Sequence, residues 1–329
     1  MAFLKFLESI RTPIGDFFFP LITNLGAETF FLVIAILFFW CINKREGYYI
    51  LMTGVVGSVI NQWLKIIFKI PRPWLGTGLT TVGDPIKDLE ATGYSFPSGH
   101  TQNIAGTFGC IGRYNKQKWI KITSVVIIAL VALSRMYLGV HTPLDVGVSL
   151  VVAAVLVYSF HFIFRTEEAC NKYLTYAIAG SVIFSIGFIL YVFLIPESGF
   201  EGEEALKNLM SARDNAATLI GCLIGLFVVY PVDKYYIKFE TEARWYSQII
   251  KLGVGLGVDL AIKVFLKEPL VDLLGAYPGR ALRYFLIVVF SGAVWPLTFK
   301  FFKKLRISFM ERFTDWVVGK FRKNNTVEG

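Results

Sequence analysis

Residues 143–164 read PLDVGVSLVVAAVLVYSFHFIF, a stretch in which Asp145 is the single Asp, Glu, Lys or Arg residue. An α-helix of about 20 apolar residues crosses the ~30 Å hydrocarbon core of a bilayer. Comparable runs recur along the 329 residues, of which 55% are hydrophobic and 17% charged. A soluble domain carries about 25% charged residues. The repeated long runs therefore predict an all-α, polytopic membrane protein and exclude a soluble α/β protein.

Nine such runs predict a helical bundle of about nine transmembrane helices, built around a six-helix core. They lie at 18–41, 48–69, 99–112, 119–138, 143–164, 173–195, 213–231, 247–266 and 281–301. The run at 99–112 is short for a full crossing. We divide the chain into an interfacial amphipathic segment at 1–17, the core at 18–196, three additional transmembrane helices at 197–303 and a basic cytoplasmic tail at 304–329.

The distribution of Lys and Arg predicts the orientation of the bundle. One set of connecting segments is basic and includes Lys44, Arg45, Arg113, Lys116, Lys118, Lys121, Arg165, Lys172, Lys234, Lys238 and Arg244. Basic loops face the cytoplasm in most membrane proteins. We therefore expect the C-terminus in the cytoplasm and the polar segment 72–100 outside, in a multi-pass protein of the cell membrane. This clustering in loops explains the net charge of +9 without a nucleic-acid partner.

Three segments keep polar residues that an apolar chain has little reason to retain. They are Lys65-x6-Arg72-Pro73, Pro97-Ser98-Gly99-His100 and Ser134-Arg135-x5-His141-x3-Asp145. The predicted topology places all three on the outer face of the membrane. Two of the three histidines of the chain lie inside them. This convergence of charged and titratable residues predicts a functional site.

The residue types in these segments suit a phosphate ligand. Lys65 supplies a point charge, and Arg72 and Arg135 supply planar sets of donors that match phosphate oxygens. Ser98 and Gly99 begin a helix, where free N–H groups and the helix dipole attract an anion. The order Thr-Pro-x-Asp at 142–145 predicts a capped helix start, which places Asp145 about one turn from His141.

Taken together, the three segments resemble the signature of the type 2 phosphatidic acid phosphatase superfamily, with no substitution at a signature position. The resemblance implies that His141 attacks phosphorus, Asp145 orients it, and His100 serves as acid and then as base. It also implies that Lys65, Arg72, Arg135, Ser98 and Gly99 hold the phosphoryl oxygens. The predicted nine spans are similar to the glucose-6-phosphatase branch, whereas many bacterial lipid phosphatases of the superfamily have six.

The resemblance implies a phosphatase that needs neither a metal nor another cofactor and acts on a phosphate or pyrophosphate monoester. We expect a lipid substrate, such as a polyprenyl diphosphate, a phosphatidate-like lipid or a sphingoid phosphate, because the site opens near the headgroup layer. A sugar phosphatase or a phosphotransferase with the same site is the alternative within this chemistry. A lipid transporter or scramblase is the alternative of another class. The sequence leaves the oligomeric state open.

Overall fold

The computed structural model describes residues 1–312 and 314, and in these residues the chain is helical and without strands. Residues 1–304 contain thirteen α-helices in this order: α1 Ala2–Ser9, α2 Pro13–Thr23, α3 Glu28–Leu37, α4 Lys44–Phe68, α5 Gly99–Tyr114, α6 Lys118–Tyr137, α7 Pro143–Phe164, α8 Glu167–Leu194, α9 Glu203–Val232, α10 Trp245–Phe265, α11 Lys267–Leu274, α12 Ala276–Val289 and α13 Phe299–Lys304. The predicted all-α class is confirmed. Most of the predicted basic tail at 304–329 lies outside the described residues.

In the part of the chain that the structure describes, six helical stretches are long and apolar enough to cross a membrane, so the chain is a multi-pass membrane protein. They are Lys44–Phe68, Lys118–Tyr137, Pro143–Phe164, Glu167–Leu194, Glu203–Ile237 and Ala276–Lys304. A seventh span is possible if the bent pair Pro13–Gly26 and Glu28–Ile42, which meet at 53°, forms one crossing.

The predicted count of nine spans is not confirmed. The run at 99–112 forms α5, which has only 16 residues. The run at 247–266 lies in α10, which carries Lys251, Asp259 and Lys263 along its length. Helix α2 also runs through the boundary that we predicted between residues 17 and 18. Its length therefore separates α5 from the six regular spans, and its charges separate α10 from them.

Helix α5 lies at the centre of the core and contacts α4, α6 and α7. Polar side chains fix its position against α4, because buried amides need hydrogen-bond partners. The Asn61 amide donates to the Gln102 side chain at 3.0 Å, and the Gln102 amide donates to the Gly57 carbonyl at 2.5 Å. These bonds hold the first turns of α5 beside the last turns of α4.

The C-terminal helices form a second layer on this core. Helix α9 packs against α4, α8 and α12. Lys251 of α10 is fully buried and donates to the carbonyl of Trp40, which lies just after α3, at 2.8 Å. The long α9 is thus the main connection between the core and the last helices.

Gly47 permits the closest approach between α4 and the preceding turn. A Cβ at this position would lie less than 3.0 Å from the backbone and Cβ of Phe39. We expect Gly47→Ala to lower the melting temperature of the purified protein in detergent, because overpacking of this kind costs about 1–3 kcal/mol. Gly180→Ala on α8 is the matched control, since no neighbouring atom lies within 4 Å of its Cβ position. Equal melting temperatures for the two variants would contradict this account of the packing.

Candidate active site

The three polar segments meet at one end of the bundle. The Ser98 amide donates to the Asp145 carbonyl at 3.2 Å, which joins the second segment to the third. An Arg72 N–H lies 3.0 Å from His141 Nε2, which joins the first to the third. All eight predicted site residues, Lys65, Arg72, Ser98, Gly99, His100, Arg135, His141 and Asp145, therefore belong to one cluster.

The start of α7 sets the geometry of His141 and Asp145. Thr142 caps the helix: its hydroxyl accepts from the Asp145 amide at 3.2 Å, and Asp145 Oδ2 accepts from the Thr142 amide at 2.7 Å. The same Oδ2 lies 3.5 Å from His141 Nδ1. Asp145 is buried, as is His141. The capping carboxylate is thereby held close to the imidazole, in a contact that is not a hydrogen bond in this structure.

Ser95 is a member of this site that the sequence analysis did not identify. Its side chain is fully buried, and its hydroxyl donates to Asp145 Oδ2 at 2.6 Å. Its amide donates to the Ile70 carbonyl at 2.8 Å. A polar residue between Tyr94 and Phe96, just before Pro97, was the signal that could have identified it.

The surroundings of His141 favour a neutral imidazole. Burial, followed by the charges of Arg72, Arg135 and Lys65, lowers the pKa of His141 well below its usual range. Burial also lowers the pKa of Arg72 to about 10, so this guanidinium stays charged at neutral pH. His141 therefore has a lone pair at Nε2, which accepts from Arg72 in this structure and is available to attack an electrophile.

The three cations all donate hydrogen bonds to one short stretch of backbone. Lys65, Arg72 and Arg135 are 7%, 5% and 0% exposed, and each donates to a backbone carbonyl of residues 89–94, which we call the carbonyl segment. Lys65 donates to Tyr94, Arg72 to Thr92 and Gly93, and Arg135 to Leu89. Carbonyl oxygens stabilise these buried charges without neutralising them.

This cluster has unused capacity for an anion. Within residues 1–312, no carboxylate lies within 4.0 Å of the charged groups of Lys65, Arg72 or Arg135. Arg135 Nε and its second terminal nitrogen are buried and have no hydrogen-bond partner in the same part of the chain. Buried donors of this kind are rare unless a ligand completes them. A phosphoryl group, with its negative charge and several acceptor oxygens, matches this arrangement.

The N-terminus of α5 adds neutral donors to the cations. Ser98 is the cap residue, and its hydroxyl accepts from the Thr101 amide at 3.4 Å. A Cβ at Gly99 would meet no other atom within 4 Å, so the space in front of this residue is open. An anion can therefore approach the free N–H groups of the first turn.

His100 lies next to this helix start, on the same cluster. It is 9% exposed, and burial followed by the charges of Arg135, His141, Arg72 and Lys65 lowers the pKa of His100 well below its usual range. Its Nε2 is 3.9 Å from a carboxylate oxygen of Glu90, whose side chain is 58% exposed. His100 is thus the titratable group of the site that is nearest to an exposed carboxylate.

Two family models match the chain. The PAP2 superfamily model matches residues 45–168, which include all eight predicted site residues. The model described as PAP2 superfamily phosphatase, transmembrane extension, matches residues 216–307. No solved structure matches the chain.

Several curated proteins are similar to this chain over part of their length. A probable sphingosine-1-phosphate phosphatase of Dictyostelium discoideum is 24% identical over 68% of this chain and 55% of the relative. Sphingosine-1-phosphate phosphatase 1 of Mus musculus is 27% identical over 64% and 46%. An undecaprenyl-diphosphatase of Sulfolobus acidocaldarius is 31% identical over 35% and 53%. The chain thus spans about half the length of the curated relatives it matches.

The predicted family resemblance is confirmed by both models, which place a superfamily domain and its transmembrane extension in one chain. The three polar segments lie within the first model and the C-terminal helices within the second. This chain belongs to the PAP2 superfamily.

Proposed function

We propose that this protein is a membrane phosphatase that hydrolyses a phosphate or pyrophosphate monoester of a lipid through a phosphohistidine intermediate. One observation carries the proposal. A buried His141 lies between Arg72 and Asp145, inside a cluster of three cations with unused hydrogen-bond donors. This arrangement supplies a nucleophile and fixed positive charge at the same point, as phosphoryl transfer requires.

In the first step, the Nε2 lone pair of His141 attacks phosphorus. The Arg72 N–H that it accepts in the resting site turns to a phosphoryl oxygen. The bond from phosphorus to the leaving oxygen breaks, and His100, whose protonated form is favoured by the negative charge of the bound substrate, gives a proton to that oxygen. Asp145 stabilises the imidazolium character of the phosphorylated ring, while Lys65, Arg72, Arg135 and the α5 N-terminus stabilise the charge on the oxygens.

In the second step, His100 takes a proton from a water molecule as the water attacks phosphorus. The P–N bond to His141 breaks and inorganic phosphate leaves. His100 has then regained the proton that it lost in the first step, and His141 is again neutral. Ser95 acts as a positioning residue, because its hydroxyl holds the oxygen of Asp145 that faces the imidazole.

The relatives support a lipid substrate. Their names include sphingosine-1-phosphate phosphatase, undecaprenyl-diphosphatase and, in Bacillus subtilis, phosphatidylglycerophosphatase B. These names share a phosphate or diphosphate monoester on a lipid alcohol. We extend that class to this chain and place the site on the extracytoplasmic side of the cell membrane, because the basic loops lie opposite to it.

The two histidines are expected to fail in different ways when they are replaced. His141→Ala removes the nucleophile, so both turnover and the covalent intermediate should disappear. With p-nitrophenyl phosphate, whose leaving group needs little protonation, His100→Ala should still form phosphohistidine but hydrolyse it slowly. The P–N bond of phosphohistidine is labile in acid. The label is therefore trapped by rapid quenching and its position is mapped under alkaline conditions.

The third histidine provides the control for this experiment. His161→Ala, at the opposite end of α7, should retain turnover close to that of the unaltered protein. An intermediate in His141→Ala but not in His100→Ala would mean that the two roles are exchanged.

Activity should persist in excess EDTA. Lys65, Arg72 and Arg135 supply the positive charge that a magnesium ion brings to other phosphoryl-transfer sites. Arg135→Ala should lower kcat by about 10²–10³, the usual loss when one group that stabilises transition-state charge is removed. Phosphate release from a lipid phosphate in detergent measures both effects. Loss of activity with the chelator that added magnesium restores would count against this mechanism.

The orientation can be tested with single added cysteines. Lys87 lies in the segment before α5 and Gln117 just before α6, and both are exposed. Lys87→Cys should react with a membrane-impermeant maleimide in intact cells, and Gln117→Cys should react only after the membrane is permeabilised. The chain without an added cysteine gives the background from Cys41, Cys110, Cys170 and Cys222. The reverse pattern would place the site in the cytoplasm.

A further inference from the structure

One face of α9 is polar where the helix passes the phosphate-binding cations. Asn208, Ser211 and Asn215 recur at helical spacing on this face. They line a cavity of about 20 Å³ together with Gln62, Lys65 and Ile66 of α4 and residues 92–94 of the carbonyl segment. A site of this size holds about one water molecule, which needs two to four polar partners.

The Lys65 ammonium borders this cavity and has donors to spare. It is 7% exposed and donates to the Tyr94 carbonyl, its one hydrogen-bond partner among the described residues. An ammonium group has three N–H donors. A water molecule in the cavity would accept from a second donor and connect it to the amide and hydroxyl groups of α9, which leaves the third for a phosphoryl oxygen.

The same face of α9 holds residues 92–94 in place. Tyr94 packs in one cluster with Leu209, Ala212 and Ala216 of α9, and it lines the cavity together with Asn208. A Cβ at Gly93 would have Ser211 Oγ as its nearest neighbour, at 4.0 Å. The three consecutive carbonyls at 92–94 are those that hold Lys65 and Arg72. The contacts therefore run from α9 through this tripeptide to both cations.

We propose that α9 completes the phosphoryl-binding site: Asn208, Ser211 and Asn215 bind one water molecule beside Lys65 and, with Tyr94, position Lys65 and Arg72 for the phosphoryl oxygens. The inference rests on the proposed function for its ligand, a phosphoryl oxyanion. The three residues are positioning residues, since they act through the water and the carbonyls. Helix α9 is thus part of the phosphate site and not only a support for the core.

The test is the affinity for inorganic phosphate, measured from the melting temperature as a function of phosphate concentration. Asn215→Leu fills the cavity with an apolar group of similar size. We expect its Kd for phosphate to rise about tenfold, which corresponds to about 1.4 kcal/mol. Asn215→Ser keeps a polar group and should stay within about threefold of the unaltered protein. Asn171→Leu, at the opposite end of the bundle, is the matched control and should not change the Kd.

A second pair of variants decides the question if Asn215→Leu does not fold. Ser211→Ala should weaken phosphate binding, whereas Ser185→Ala, at a buried position of α8 that does not line the cavity, should not. Equal phosphate affinity in Ser211→Ala and Ser185→Ala, or in Asn215→Leu and Asn171→Leu, would overturn the inference.

Phosphate release from lipid substrates is measured on the same samples, so the two proposals can fail separately. An unaltered protein that binds phosphate but hydrolyses no lipid phosphate would overturn the proposed function, while a shifted Kd in the cavity variants would still support the role of α9. An active protein whose cavity variants bind phosphate with unchanged Kd would support the proposed function and overturn the role of α9.

Discussion

Three buried positive charges converge at one point of this bundle, and their mutual repulsion is the constraint on which the site depends. Lys65, Arg72 and Arg135 lose most of their hydration, and in residues 1–312 none of them has a carboxylate within 4.0 Å. Separate backbone carbonyls of residues 89–94 hold each cation instead. Such partners compensate the charge only in part. The cluster is therefore prepared for an anion, and a bound phosphoryl group would supply the missing negative charge.

The fold brings these charges together by ending helices at the same level. Lys65 lies in the last turn of α4 and Arg135 in the last turns of α6, while α5 begins at Gly99. The short length of α5 follows from this arrangement, because its free N–H groups face the anion only if the helix starts at the site. The same requirement explains why α5 is enclosed by α4, α6 and α7.

The start of α7 shows how one residue serves both local structure and chemistry. Asp145 caps the helix through the Thr142 amide and faces His141 with the same oxygen, which Ser95 also contacts. A carboxylate with these donors is held in a single orientation. Burial and nearby cations lower the pKa of the imidazole beside it, which favours the free lone pair that the proposed mechanism uses.

The sequence by itself determined the helical membrane class, the helix start at Ser98 and Gly99, the cap at Thr142, and the residues of the three polar segments, because apolar run length, cap chemistry and motif spacing depend on residue type. The predicted number of spans is not confirmed, since run length alone does not show that α5 begins at a buried site or that α10 carries three charged residues. The sequence also did not reveal the partners of the cations. Every residue has a backbone carbonyl, so residue type does not distinguish the carbonyls of residues 89–94 from any others. Only the tertiary structure decided that they, together with Ser95 and the polar face of α9, surround Lys65, Arg72 and His141, because those contacts join segments that are far apart in the chain.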